Sequence, residues 1–283
     1  MSDALPLATI DDQAVEIRQP NGALLMRYVF RPDTAASEAP RPYAHPVCSL
    51  AGEVLTNFRP NDHPWHHALS FTITSLAGRN FWGGGTYRSG EGYQDLKNQG
   101  TQHHVEWLSQ TPEKLSHVIE WRAGEEVLLR EVRTLTARIE SAQTWSLRWQ
   151  AELENVSDQA LTCASYHSGE GLSGSHYTGL QFRGARDLLD EHGDDSIGIF
   201  ASPDLQGEKA VHGTAADWME WRARKDTTLR RVTLRFANAT GPLHWFVRRH
   251  NPLVAFPFHY DRNYALLPGA VLRIDHSLTF TDQ

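Results

Sequence analysis

The chain has 283 residues, enough to bury a large core, and its composition shows no abrupt shift that would divide it into two domains. Its 34 acidic and 27 basic residues give a formal net charge of −7, which argues against nucleic acid as a partner. The absence of any run of about 18 apolar residues argues against a membrane span, and two cysteines are too few for a disulfide framework.

The N-terminal residues 1–40 predict an irregular segment of a single domain that spans residues 1–283. They begin with MSDALPLATIDDQ, which has acidic residues where a secretory signal peptide needs a basic segment followed by an apolar one. Together with the few cysteines, this predicts a cytoplasmic protein. Residues 31–47 are rich in Pro and Ala and predict a loop, in which His45 is a candidate ligand-binding residue.

The stretch NDHPWHHALSF contains Asp62, His63, His66 and His67 just before an apolar strand. Three imidazoles this close can bind a transition metal, with Asp62 as a fourth ligand or as the acceptor that orients a histidine. Alternatively, one imidazole acts as a general base oriented by Asp62, since the ordinary pKa of histidine lies near neutrality. A third interpretation is that these residues only form hydrogen bonds to the loop backbone.

The next segment, NFWGGGTY, sets aromatic rings around three glycines, where the backbone can approach a ligand closely. Trp82 is the candidate for stacking on the apolar face of a sugar ring. The stretch 83–102 that includes these glycines predicts a second long loop.

Period-two alternation then dominates the chain and predicts a nearly all-β protein. In TWSLRWQAELENV, Trp145, Leu147 and Trp149 fall on one face, while polar residues fall on the other. Besides this stretch, the predicted strands cover 103–109, 115–122, 126–138, 161–166, 228–237, 243–249 and 271–280, with a third long loop over 184–226. Long strands joined by short turns need two facing sheets, so the predicted fold class is all-β, a large antiparallel β-sandwich.

Polar side chains follow several of these strands and are further site candidates. In SYHSGEG, His167 and Glu170 form a candidate acid/base pair, with a solvated turn as the alternative. Arg183 in GLQFRGAR could bind a carboxylate or a pair of hydroxyl groups, or form a structural ion pair. His259 in FPFHYD fits a site wall and core packing equally well.

Several motifs together resemble a bacterial family called PmoA-like proteins. RPYAHPV, NDHPWHHALSF and NFWGG resemble its opening motifs, and GLQFRGAR, ADWMEWRA, WFVRRHNPLVAFPF and LLPGAVLRIDHSL resemble its later ones, in the same order over about residues 40–282. The chain departs from the family pattern at Trp65, where histidine is usual, and at Ala68, where arginine is usual. These departures favour individual roles for His63, His66 and His67.

The resemblance implies a β-supersandwich similar to that of galactose mutarotases, in proteins associated with sugar catabolism. LRWQAELENVSDQALTCASYHSGEG is also similar to the mutarotase strand pair that leads to a catalytic histidine. That likeness implies a catalytic role for His167.

Three functions remain open at this point. The first is a cytoplasmic enzyme acting on a sugar or sugar derivative by epimerisation, elimination or hydrolysis. In that enzyme proton transfer is assigned to His63, His67, His167 and Glu170, and substrate binding to His45, His66, Trp82, Arg183 and His259. The second is an enzyme that depends on a divalent transition metal held by the His63, His66 and His67 cluster, with help from other histidines and from Glu170 or Asp62. The third is a carbohydrate-binding β-sandwich without catalysis. The expected partner is a small carbohydrate rather than nucleic acid or a membrane, and long edge strands favour a homodimer.

Overall fold

The structure is a computed structural model that describes residues 7–9, 11–111, 114–167, 175–190, 192 and 196–283. In chain order its strands are Leu7–Thr9 (β1), Ala14–Arg18 (β2), Leu24–Val29 (β3), Tyr43–Val47 (β4), Leu69–Thr72 (β5), Thr86–Arg88 (β6), Gly92–Gln94 (β7), Thr101–Gln110 (β8), Leu115–Ala123 (β9), Glu126–Ile139 (β10), Thr144–Asn155 (β11), Leu161–Cys163 (β12), Gly179–Arg183 (β13), Ile197–Ala201 (β14), Leu205–Gln206 (β15), Ala215–Ala216 (β16), Trp218–Arg224 (β17), Arg231–Asn238 (β18), Leu243–His244 (β19), Phe246–Arg248 (β20), Leu253–Phe256 (β21), Tyr264–Leu266 (β22) and Val271–Asp282 (β23). The helices are short: 3-10 turns at Ala36–Glu38 and Arg186–Leu188, and one α-helix, Glu208–Val211 (α1).

Two large sheets carry the fold. One has eight strands in the order β1-β2-β3-β4-β5-β13-β21-β20, and the other has nine in the order β15-β14-β17-β18-β23-β11-β10-β9-β8. Adjacent strands pair antiparallel, for example β11 with both β10 and β23 over eleven residue pairs each. The predicted fold class, an all-β protein built as a large antiparallel β-sandwich, is confirmed.

The main hydrophobic core contains side chains from both sheets. Strand β11 alternates as its sequence predicts, with Trp145, Leu147 and Trp149 fully buried. On β13 of the other sheet, Leu180 and Phe182 belong to the same core. Because side chains alternate along a strand, Gln181 and Arg183 lie on the opposite face of the eight-stranded sheet, the face that carries the candidate site.

The predicted irregular stretches contain more strand than expected. Residues 1–40 hold β1, β2 and β3, so the prediction of an irregular N-terminal segment is wrong there. β2 and β3 have only five and six residues, too few to show a clear period in the sequence. The predicted loops 31–47 and 83–102 likewise contain β4 and the β6–β7 hairpin.

The predicted loop 184–226 is the largest correction, because it contains β14 and β17 of the nine-stranded sheet. Its many charges indicated a loop, but on β17 the exposed Arg222 and the buried Glu220 are neighbours on one face of a strand and form a pair there. Glu220 Oε1 accepts a hydrogen bond from Arg222 Nε at 2.8 Å, for example.

None of the helices in the described part of the chain is both long and apolar enough to cross a membrane. Strand β8 ends the nine-stranded sheet, and Val105 and Leu108 on it are exposed. A homodimer formed through such an edge stays a prediction.

Candidate functional site

A second, smaller apolar cluster lies outside the main core, and it marks the candidate site. It consists of Trp82, Phe246, Leu253 and Ala255, with the half-buried rings of Trp65 and Tyr177 packed against it. On β21, Leu253 and Ala255 alternate with Val254 and Phe256, which belong to the main core. The alternation therefore places the small cluster on the face of the eight-stranded sheet that is turned away from the sandwich core.

This cluster forms one wall of a cavity of about 490 Å³. The cavity is lined by five aromatic rings, four polar side chains and three small or aliphatic residues: Trp65, Trp82, Tyr93, Tyr177, Phe246, His63, His66, Arg248, Asn251, Gly83, Gly85 and Leu253. Ligand cavities of a few hundred Å³ with mostly apolar walls and a few polar groups are typical of small-molecule sites.

A smaller cavity of about 50 Å³ adjoins the first and shares Trp82, Gly83, Gly85 and Tyr177 with it. The Trp82 and Tyr177 rings are in contact, with centroids 4.7 Å apart, so together they form part of the partition between the two spaces. The walls of the smaller cavity also include histidine, tyrosine and hydroxyl side chains: His176, His259, Tyr166, Tyr260, Ser165 and Thr178.

His63 lies at the cavity surface and is paired with its neighbour in sequence. Its Nδ1 is 3.0 Å from Asp62 Oδ2, an ion-pair contact without the geometry of a hydrogen bond, and its side chain is 35 % exposed. Its Nε2 makes no hydrogen bond to any residue that the structure describes. A carboxylate at Nδ1 and a free Nε2 are the arrangement of an oriented general base.

His66 lines the same cavity but is almost fully buried, with its ring centroid 4.8 Å from that of His63. Burial, together with the positive charge of Arg183, lowers the pKa of His66 well below its usual value. The imidazole is therefore neutral at physiological pH, and its Nδ1 has no hydrogen-bond partner among the described residues.

His67 lies behind the cavity rather than on its wall. It is fully buried, and its Nε2 hydrogen-bonds to Glu38 Oε2 at 2.9 Å. Burial and the nearby arginines lower its pKa well below the usual value, so the neutral ring donates this bond. The same carboxylate accepts two hydrogen bonds from Arg59, at 3.0 and 2.8 Å. The structure therefore gives His67 a structural contact and separates it from His63.

His45 and Arg183, both predicted to bind substrate, are likewise absent from the cavity lining. His45 Nδ1 is 3.0 Å from Thr56 Oγ1, and burial lowers the pKa of His45 to about 4. Arg183 is 2 % exposed, and burial lowers its pKa to about 10 although Asp62 opposes this. Its Nε and Nη1 have no hydrogen-bond partner among the described residues.

The remaining predicted residues belong to the smaller cavity or lie away from both. His259 lines the smaller cavity, and burial lowers its pKa to about 4. His167 is on an exposed turn, with its ring centroid 4.3 Å from that of Tyr166, a residue of the smaller cavity. Glu170 lies outside the described residues.

Within the described parts of the chain, no three His, Cys, Asp or Glu side chains are grouped closely enough to hold a metal ion. His66 faces the cavity, whereas its neighbour His67 is bonded to Glu38 on the other side. Adjacent residues in extended backbone point to opposite sides, so the predicted metal cluster of His63, His66 and His67 does not converge.

Several residues of the site carry no local signal in the sequence. Glu38 and Arg41 hold the loop in place: buried Arg41 donates to the backbone oxygens of Glu38, Ala39 and Trp65 at 2.7 to 3.0 Å. Tyr177 and Phe246 reach the cavity from strands or loops far along the chain. For Arg41, the only sequence signal is a charged residue among apolar ones in EAPRPYA, which indicates a buried arginine.

The chain belongs to DUF6807, a family of unknown function whose model matches residues 15–283. No curated protein matches the sequence. This family assignment does not test the resemblance to PmoA-like motifs, which stays a prediction.

Solved structures with a similar chain course include sugar-active enzymes. One is a GH36 α-galactosidase from Geobacillus stearothermophilus, at 11% identity and a TM-score of 0.44, covering 98% of this chain and 41% of that one. Another is a polysaccharide lyase at 10% identity and a TM-score of 0.37, covering 100% of this chain and 33% of that one. This chain thus spans well under half the length of either.

Proposed function

We propose that this protein is a cytoplasmic enzyme that binds a sugar or sugar derivative in the cavity of about 490 Å³ and moves a proton of that ligand with His63. The observation that carries the proposal is the Asp62–His63 pair, with 3.0 Å between Oδ2 and Nδ1, at the edge of an aromatic-walled cavity. An oriented imidazole beside a ligand-sized space is the minimum equipment for general acid/base catalysis.

The aromatic walls support a sugar as ligand. Trp65, Trp82 and Tyr177 present ring surfaces that can stack against the C–H face of a pyranose. Asn251 and Arg248 add hydrogen-bonding groups on the same cavity, and these suit hydroxyl groups. Hydrogen-bonding groups on an otherwise apolar wall orient a ligand that has both kinds of surface.

The proton transfer follows from the state of His63. The Asp62 carboxylate favours the tautomer with a proton on Nδ1, which leaves the lone pair on Nε2 for the ligand. His63 Nε2 takes a proton from the carbon next to a carbonyl group, and Asp62 stabilises the imidazolium that forms. Delivery of a proton to the opposite face of the carbon gives epimerisation, and exchange of the imidazolium proton with solvent before its return gives isotope exchange. Delivery of the proton to a departing hydroxyl group on the neighbouring carbon gives elimination of water.

The other predicted site residues have different roles in this scheme. Neutral His66 lines the cavity beside His63 and is placed to hydrogen-bond the carbonyl oxygen on which negative charge develops. Glu170 and His167 stay proposals for a second acid group. His67 supports the loop through Glu38 and takes no part in the proposed step.

The test is deuterium exchange in D₂O, followed by proton NMR, over a panel of aldoses, ketoses and sugar acids. We expect the wild type to incorporate deuterium at the carbon next to the carbonyl of at least one ligand. His63→Asn should reduce that rate by about 10²–10⁴-fold while the ligand still binds. His103→Asn changes an exposed histidine on β8 and should keep the wild-type rate.

Two results would overturn the proposal. One is an unchanged exchange rate in His63→Asn. The other is a ligand that binds in the cavity, as reported by Trp82→Ala abolishing its binding, but undergoes neither exchange nor conversion. The second result would identify a carbohydrate-binding protein without catalysis.

A further inference from the structure

Arg183 is an exception among the buried arginines of the described residues. Buried Arg41 donates to three backbone oxygens and to Ser70 Oγ. Buried Arg133 bonds to Glu131, Tyr28 and Gln102. Arg183, at 2 % exposure, leaves both Nε and Nη1 without a hydrogen-bond partner, and no carboxylate of the described residues forms an ion pair with it. A buried cation with unmatched donors is costly unless something else supplies the acceptor and the charge.

The position of Arg183 connects it to the proposed catalytic end of the cavity. It pairs in register with Leu253 of β21, which lines the cavity, so both side chains are on the same face of the sheet. Its backbone nitrogen donates to the Ala68 oxygen, two residues after His66. Its charge acts on both His66 and Asp62, so the guanidinium group lies behind the His63–His66 end of the cavity wall, although Arg183 is not part of the lining itself.

The unmatched donors in this place define a ligand chemistry. The planar guanidinium edge that carries Nε and one Nη fits the two oxygens of a carboxylate. Asp62, the acid whose charge acts on Arg183, lies 3.0 Å from His63 Nδ1 instead. A hydroxyl group would accept a hydrogen bond from the guanidinium group but would leave its positive charge unbalanced. A carboxylate accepts hydrogen bonds and also balances the charge.

We propose that a carboxylate of the ligand passes His66 at the cavity wall and binds Arg183 behind it, and that the cavity therefore takes an acidic sugar such as a uronic or aldonic acid. This inference rests on the proposed function, because it specifies the ligand class of the same cavity. The carboxylate at Arg183 would fix one end of the sugar while the aromatic walls hold its ring. The carbon that bears the reacting proton would then face His63 Nε2.

Matched ligand pairs test the inference on the wild-type protein. D-glucuronate and D-glucose, or D-galacturonate and D-galactose, differ only in a carboxylate in place of a hydroxymethyl group. We expect calorimetric titration to give at least about tenfold tighter binding of the acid, a preference that weakens at high salt. Glucose 6-phosphate distinguishes the anion: tighter binding of this ester than of glucuronate would overturn the carboxylate assignment.

Variants assign the preference to the residue. Arg183→Gln should abolish the preference for the acid, and Arg183→Lys, which keeps the charge but loses the planar fork, should retain only part of it. Arg138→Gln removes an exposed arginine of β10 and should leave the preference at its wild-type value. Equal binding of acid and neutral sugar by the wild type, or a preference that survives in Arg183→Gln, would overturn the inference.

The outcomes separate this inference from the proposed function. If neutral sugars bind as well as acids and undergo exchange that depends on His63, the proposed function holds and the role of Arg183 fails. If acids bind through Arg183 but no sugar undergoes exchange, acid recognition holds and the catalytic proposal fails.

Discussion

Buried histidines in this protein are mostly neutral, and His276 on β23 is the clearest case. It is 2 % exposed, its Nδ1 is 3.0 Å from Asn238 Oδ1, and burial lowers its pKa to about 3. The unfolded chain binds the proton near pH 6.5, well above the pKa of the folded state. The contribution of His276 to stability is therefore complete above that pH and is lost as the pH falls toward 3.

We predict that His276→Gln makes the protein less sensitive to acid. At about pH 5 the wild-type residue should cost about 2 kcal/mol of unfolding free energy relative to about pH 7.5, since one pKa unit corresponds to about 1.4 kcal/mol. Urea unfolding at the two pH values should show a smaller difference in the variant. His167→Gln, on an exposed turn, serves as the control and should keep the wild-type difference. If His276→Gln lost as much unfolding free energy between the two pH values as the wild type does, His276 would not be buried in its neutral form.

The loop after β5 depends on two glycines that face other loops of the site. Gly84 has a φ of 67°, and a Cβ there would lie 2.6 Å from the Trp65 ring. A Cβ on Gly83 would lie 2.6 Å from the Glu38 carbonyl oxygen. Asn80 Oδ1 accepts hydrogen bonds from the Trp82 and Gly83 nitrogens, both at 2.9 Å, and so fixes the turn. The glycines allow two loops of the cavity to pack together.

We predict that Gly84→Ala weakens ligand binding and stability, because Trp65 must move. Gly90→Ala is the matched control, since Gly90 also has a positive φ, 82°, but has nothing within 4 Å of its Cβ position. The control should cost about 1 kcal/mol of unfolding free energy for the backbone strain, and Gly84→Ala about 1–3 kcal/mol more for the clash. Urea unfolding measures both, and equal losses in the two variants would show that Trp65 does not constrain the loop.

The strands and loops differ in how well the sequence predicts them. Strands β10 and β11 were predicted closely because each has one buried and one polar face, which gives a period that is visible in the residues themselves. His63 and His66 were predicted together because they are neighbours in the chain. Tyr177 and Phe246 were missed, because only the order β5-β13-β21-β20 brings these distant segments together. Period-two patterns do not determine which strands pair.

A buried polar network links the two large sheets of the molecule within their hydrophobic core. Tyr28 of β3 hydrogen-bonds to His117 Nε2 at 2.9 Å and accepts from Arg133 Nη1 at 3.2 Å, and both of those residues belong to the nine-stranded sheet. Arg133 and Glu131 are fully buried and form two hydrogen bonds, at 2.7 and 2.9 Å. Trp121 Nε1 donates to the same carboxylate at 2.7 Å. The network gives the sheets a defined relative position, because its bonds form in one arrangement only.

We predict that breaking this network from one side is far more damaging than removing it. Glu131→Gln should lower the unfolding free energy by about 3–5 kcal/mol, since it leaves the Arg133 charge buried without a counter-charge. Glu131→Leu combined with Arg133→Met removes both charges and should cost less than Glu131→Gln alone. Glu154→Gln, on the exposed face of β11, is the control and should change stability by no more than about 0.5 kcal/mol. If urea unfolding gave Glu131→Gln a cost as small as the control, the Arg133 charge would have to be balanced by another group, and the network would not determine how the sheets pack.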